Sequence, residues 1–169
     1  MAIPYLGKPL DYYEDLDRDL LSITSQFLDG VAFLHSKCVA HLDLKPSHIL
    51  FDENGSIYII DYDLSMKFKD TSELTTGFQG TKGFTAPEVG EEPYNPFLAD
   101  VWSAGRVIVD LLFLRHDHEH AEFLKSLYRR MMDEDPKKRP NAQDVAREIG
   151  EYIERSVQAQ CSNRTTTFS

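Results

Sequence analysis

Two sets of side chains in this 169-residue chain could gather a metal ion. The first is the run RHDHEH, in which His116, His118 and His120 alternate with Asp117 and Glu119. Imidazole nitrogens interleaved with carboxylates suit a transition metal. Alternation by two, however, fits neither one face of a helix nor a CxxC-type frame. The competing reading is a solvated loop leading into a helix whose first turn favours acids. The second set is His48 with Asp43, Asp61 and Asp63. A neutral imidazole is a poor ligand for magnesium, which prefers hard oxygen, and a better one for zinc or manganese. Against that stands a plain scaffolding role, in which the same groups hydrogen-bond a loop without any ion.

A few elements must position these groups. Leu20, Ile23, Phe27, Val31 and Leu34 recur three or four apart, which predicts a helix over residues 17–36 with one buried face. ILFD and IYII flank the turn ENGS and predict a short β-hairpin just after His48. Residues 61–88 shift to Thr, Ser, Gly, Lys and Asp without any period, and a 28-residue stretch of that kind is usually functional or mobile. Asn95-Pro96 reads as a helix start, and the helix over residues 97–113 is apolar on most sides, as a central buried helix is. Phe123, Leu127 and Met131 predict a further helix ending before Asp135-Pro136. A last helix, capped by Asn141, carries the stripe Val145, Ile149 and Ile153, and past Val157 the tail loses its apolar period and is expected to fray.

Composition sets the outer bounds. A chain of this length buries roughly 70% of its unfolded surface and fits one domain. A net charge of −10 excludes the basic patch of a nucleic-acid binder and a polybasic membrane surface, so neither partner is expected. Cys38 and Cys161 make no disulfide framework, MAIPYLGKPL does not read as a signal peptide, and the apolar stretch of residues 107–114 is too short for a bilayer. A reducing, cytoplasmic location is expected.

Five fragments, in order, give the chain its resemblance. HLDLKPSHIL resembles the catalytic loop of a Ser/Thr protein kinase, and IIDYDLS, with Asp61 18 residues after Asp43, resembles the metal-binding DFG segment. GTKGFTAPE resembles the end of the activation segment, ADVWSAG the start of the central helix, and DPKKRP the arginine turn before the final helix. Residues 1–155 thus resemble a kinase C-terminal lobe, and the wording is also similar to lone kinase-like proteins of mushroom-forming fungi. The resemblance implies that Asp43 accepts the substrate hydroxyl proton, Lys45 sits beside the transferred phosphoryl group, and Thr81 ties the activation segment to both. It implies that Asp61 holds magnesium, with His48 at the position of a second metal ligand, and that Leu50 lies beneath the nucleotide. His41, Asp100 and the pair Glu88–Arg139 are implied to be structural.

The departures carry equal weight. Leu42 stands where the family has Arg, so a phosphate at Thr75 or Thr76 finds no guanidinium there. His48 replaces the metal-binding Asn, and Asp63 the Gly of DFG. No glycine-rich phosphate loop and no VAIK-type lysine precede residue 41, and IPYLGKPLDYYEDL resembles the connector between the lobes. The expected fold is therefore mainly α: a kinase C-lobe over residues 1–157 with a central buried helix and a short hairpin near the catalytic loop, the N-lobe absent. Residues 1–10 are the connector remnant, 61–88 the activation-segment-like loop and 158–169 a flexible tail. The expected function is a noncatalytic binding or regulatory module. Its contact, with a protein partner or a second copy, uses the surface that an upper lobe would cover, where Tyr5, Leu6, Leu50 and Tyr62 lie unless the segment folds inward. No cofactor is expected for the isolated chain. The alternatives are a Ser/Thr phosphotransferase using ATP and magnesium with a partner's upper lobe, and a transition-metal binder on the relic site.

Overall fold

In a computed structural model of the protein, residues 7–10, 20–91, 93–113 and 119–165 are described, the last five as backbone alone. The architecture is mainly helical, with two very small sheets. Helix α1 spans Leu20–Ser36, α2 Pro96–Phe113, α3 Ala121–Met131 and α4 Ala142–Thr165. Strands β1 (Lys8–Pro9), β3 (Ile49–Phe51) and β4 (Ile57–Ile59) form one antiparallel sheet in the order β1-β3-β4, while β2 (Val39–Ala40) pairs with β5 (Met66–Lys67).

The predicted hairpin is β3–β4, in register Ile49↔Ile59, Leu50↔Tyr58 and Phe51↔Ile57. Facing residues share a side of the sheet. Ile49, Phe51, Ile57 and Ile59 pack on the main core, which leaves Leu50 and Tyr58 on the outward side. The turn closes on Asp52, whose Oδ1 accepts the backbone N–H groups of Asn54 and Ser56 at 2.9 Å each.

Helix α2 is the organising element. Val101, Ala104, Val107, Ile108 and Leu111 are at most 2% exposed and meet Phe27, Leu127 and Ile149 from three other helices. Phe97 and Ala99, at its start, face a second cluster with Leu42, Phe68, Ala86, Val89 and Tyr94. Full burial of each large aliphatic group is worth about 1.5–3 kcal/mol, so this one helix ties both clusters together. Gly105 permits the approach of α3: a Cβ there would lie 2.8 Å from Met132 Cγ.

One position differs from expectation. The stripe of α1 predicts burial of Leu34, but His35 is buried instead, at 3% exposure, because a step of four from Val31 reaches residue 35. Past Val157, where the apolar period ends, α4 continues as helix to Thr165. Arg147 and Arg155, within 3.8 and 3.7 Å of Glu151, pair along the solvent side of that helix, away from the buried Val145 and Ile149. Tyr5, Leu6, His116, Asp117 and His118 lie outside the described residues. No helix among the described residues is long and apolar enough to cross a membrane.

Candidate active site

The site is built upward from Asp100 on α2, which is 1% exposed. Its Oδ2 accepts the backbone N–H of His41 at 2.6 Å and lies 3.1 Å from His35 Nε2, and its Oδ1 accepts the N–H of Leu42 at 2.8 Å. Two successive N–H groups can converge on one carboxylate only if the chain turns sharply, and Leu42 does so with φ +66°. A bulky residue keeps that left-handed conformation only where its surroundings over-determine it. Here the carboxylate fixes the backbone and the second apolar cluster holds the side chain.

His41, fully buried, carries the loop onward. Its Nε2 donates to the carbonyl of Ile60 at 3.0 Å, while Nδ1 accepts the N–H of Asp43 at 3.3 Å. Burial pushes its ring below the ordinary imidazole range, outweighing the pull of Asp100 and the Ile60 carbonyl. The neutral tautomer satisfies both contacts.

Asp43 is thereby presented to a ring of donors. Thr81 Oγ1 donates to its Oδ1 at 2.7 Å, Lys45 Nζ lies 3.0 Å from its Oδ2, and the same ammonium donates to Thr81 Oγ1 at 2.8 Å. Burial raises the Asp43 carboxyl, yet the hydrogen bonds from Thr81 and Lys45 and the Lys45 charge together hold it below the usual carboxylate range. Gly80 lets Thr81 reach in: at φ +103°, a Cβ would lie 2.6 Å from the Leu42 carbonyl oxygen.

His48, on the 3₁₀ turn Pro46–His48, packs beside this triad. Its Nδ1 is hydrogen-bonded to the Asp43 carbonyl at 3.0 Å, and its Nε2 lies 3.1 Å from Asp61 Oδ2. Asp61 itself has φ +63°. This corrects the expectation that His48, Asp43, Asp61 and Asp63 gather as ligands. The imidazole is turned onto protein oxygens on both sides, and Asp63 is exposed. No group of three or more His, Cys, Asp or Glu able to hold a metal forms among the described residues. Of the RHDHEH run, His120 is described, with Nδ1 3.1 Å from Tyr152 Oη.

A second anchor lies beneath. Arg139, 5% exposed, grips Glu88 through two nitrogens at 2.6 and 2.9 Å. It also donates to the carbonyls of Asp133 and Leu98 and lies 4.9 Å over the Trp102 ring. Leu50 sits half-buried on the outward side of β3, and Tyr62 rests on His41 with ring centroids 5.0 Å apart while staying 46% exposed. His35 is the member that sequence reasoning missed. Its spacing of four from Val31 was the available signal.

So disposed, the site offers a proton-accepting carboxylate steadied by a hydroxyl and an ammonium, with a second carboxylate alongside. The family description "Protein kinase domain" matches residues 14–168. The chain is 35% identical over 142 residues to CBL-interacting protein kinase 8 of Oryza sativa subsp. japonica, covering 71% of this chain and 32% of that protein. It is 40% identical over 90 residues to serine/threonine-protein kinase chk1 of Schizosaccharomyces pombe, covering 52% and 18%. With myosin light chain kinase 3 of Danio rerio it shares 37% identity over 102 residues, 59% of this chain and 14% of the other. The chain spans about a third or less of the length of these relatives.

Proposed function

This chain belongs to the protein kinase domain family, and from that premise we propose that residues 1–157 are a kinase-like C-terminal lobe. It works as a noncatalytic, pseudokinase-type binding or regulatory module in the cytoplasm. Its contact, with a protein partner or a second copy, lies where an upper lobe would sit. The observation that supports this is the exposure of apolar side chains on the hairpin and in the segment that follows it. Tyr62 is 46% exposed, and Tyr58, Leu64 and Met66 are each 38% exposed. Apolar side chains gathered into one contiguous exposed patch mark interaction sites.

Catalytic parts support the same reading by what they lack. His48 stands where the family has its metal-binding Asn and Asp63 where it has Gly, and one preorganised electrostatic contact is worth about 10²–10³ in rate. The test is phosphate transfer from magnesium-ATP to a generic Ser/Thr substrate by the purified chain. No transfer above that of Asp43→Asn is expected. Turnover of about 1–100 per second, the ordinary kinase range, would overturn the proposal.

One observation favours a second reading, a Ser/Thr phosphotransferase using ATP and magnesium when an upper lobe is supplied: the Asp43–Lys45–Thr81 contacts are complete. In cells, a biological effect abolished by Asp43→Asn without loss of folding would favour it over the binding module.

A further inference from the structure

The family's chemistry implies magnesium held by Asp61, and the residues at that place do not fit the ion. Magnesium demands near-octahedral oxygen ligation. Beside Asp61 stands an imidazole whose side chain is only 12% exposed, packed in at 3.1 Å from one carboxylate oxygen. The other nitrogen is hydrogen-bonded to the carbonyl of Asp43 and lies 3.4 Å from that residue's Oδ2. The ring therefore spans, with its own two nitrogens, the gap between the catalytic loop and the Asp61 segment.

We propose that His48 is a built-in bridge that replaces the divalent ion. It clasps Asp61 to the Asp43 loop and thereby closes the Asp61 position to metal. Three features of the geometry agree. Asp61 keeps its left-handed φ of +63° with His48 as its clasp. Tyr62, next in sequence, packs on His41, so both sides of the junction are held by imidazoles. His48 Nδ1 lies 3.0 Å from the Asp43 carbonyl and Nε2 3.1 Å from Asp61 Oδ2, so both nitrogens of the ring are already engaged by protein oxygens. This rests on the family assignment and not on the chain being noncatalytic.

Mn²⁺ is the probe, because it favours the same oxygen ligands and its free form is read directly by electron paramagnetic resonance. The purified chain, Asp61→Asn, His48→Asn and the double variant are titrated, with folding checked by circular dichroism. The wild-type chain and Asp61→Asn should leave the same free Mn²⁺ up to millimolar protein. His48→Asn should bind Mn²⁺ at least roughly tenfold more tightly, and the double variant should lose that gain. His48→Gln is read in the same way should His48→Asn fail to fold. A wild-type site that Asp61→Asn abolishes overturns the inference, as does a folded His48 variant that binds no more Mn²⁺ than wild type. A chain that transfers phosphate yet shows no Asp61-dependent Mn²⁺ would sink the proposed function and leave the bridge standing.

Discussion

Asp43 is the residue whose environment can be read most directly in solution. Its folded carboxyl lies below the unfolded value of about 3.9. It therefore adds stability above that pH, and the contribution disappears as pH falls through the folded value. Thr81→Val removes one of the groups that lower it and leaves the burial in place. The Asp43 carboxyl should then titrate at higher pH by carbon NMR, and the stability lost at pH 7 relative to wild type should vanish in acid. Equal titration in both proteins would show that the hydroxyl does not set the acidity. Glu88 gives the second prediction at this scale. Glu88→Ala leaves the Arg139 guanidinium, whose side chain is 0% exposed, without its carboxylate. Breaking a buried pair from one side costs about 3–5 kcal/mol, to be checked by urea unfolding. These residues were legible in the sequence because short motifs carried them. The orientation of His48 was not, since a motif fixes a position and says nothing of where a ring nitrogen points. His35 escaped because an imidazole in a helix reads as a polar interruption of an apolar stripe.

Among the elements, α2 has the most to lose at its first turn. Asn95 Oδ1 accepts the N–H groups of Phe97 and Leu98 at 2.9 and 3.0 Å, and its Nδ2 donates to the carbonyl of Thr71 at 2.8 Å. One side chain thus caps the helix and pins the long loop. Asn95→Ala should cost about 1 kcal/mol through the lost cap. Asn95→Asp should keep the cap and give up only the loop contact, so amide exchange near Thr71 should quicken in both variants while only Asn95→Ala shifts the urea midpoint appreciably. Identical midpoints would separate the cap from helix stability. The cap, the hairpin and the buried helix were all legible, each resting on a residue type or a period that side chains declare locally. The two-residue strands β1, β2 and β5 were not. Two residues show no alternation, and their pairing partners lie far along the chain. The end of α4 was not legible for a related reason: residues 158–165 are helical without an apolar period to declare it.

At the scale of the molecule, the stretch of residues 61–88 joins a sheet only through β5 and is otherwise fastened at intervals. His48 meets Asp61, Asn95 reaches Thr71, Thr75 bridges to Tyr94, Thr81 joins Lys45 and Asp43, and Glu88 closes on Arg139. A floor fastened so completely needs no nucleotide to order it, and that makes nucleotide binding separable from folding. Mass action then supplies the decisive measurement. If magnesium-ATP bound the native chain with a Kd near 10 µM, 1 mM ligand would add about 2.7 kcal/mol. For a chain of this size that raises Tm by roughly 5–10 °C. With a Kd of about 1 mM the gain is only about 0.4 kcal/mol, or roughly 1 °C. The proposed function predicts the smaller value or none, because Leu50 is only half-buried and Tyr58 is 38% exposed on the outward side of the hairpin. Adding EDTA should leave the melting curve unchanged, as a bridge made of protein requires. A rise of several degrees with magnesium-ATP, lost in Asp61→Asn, would mean that the isolated chain holds the nucleotide through a metal, against both the noncatalytic reading and the His48 bridge.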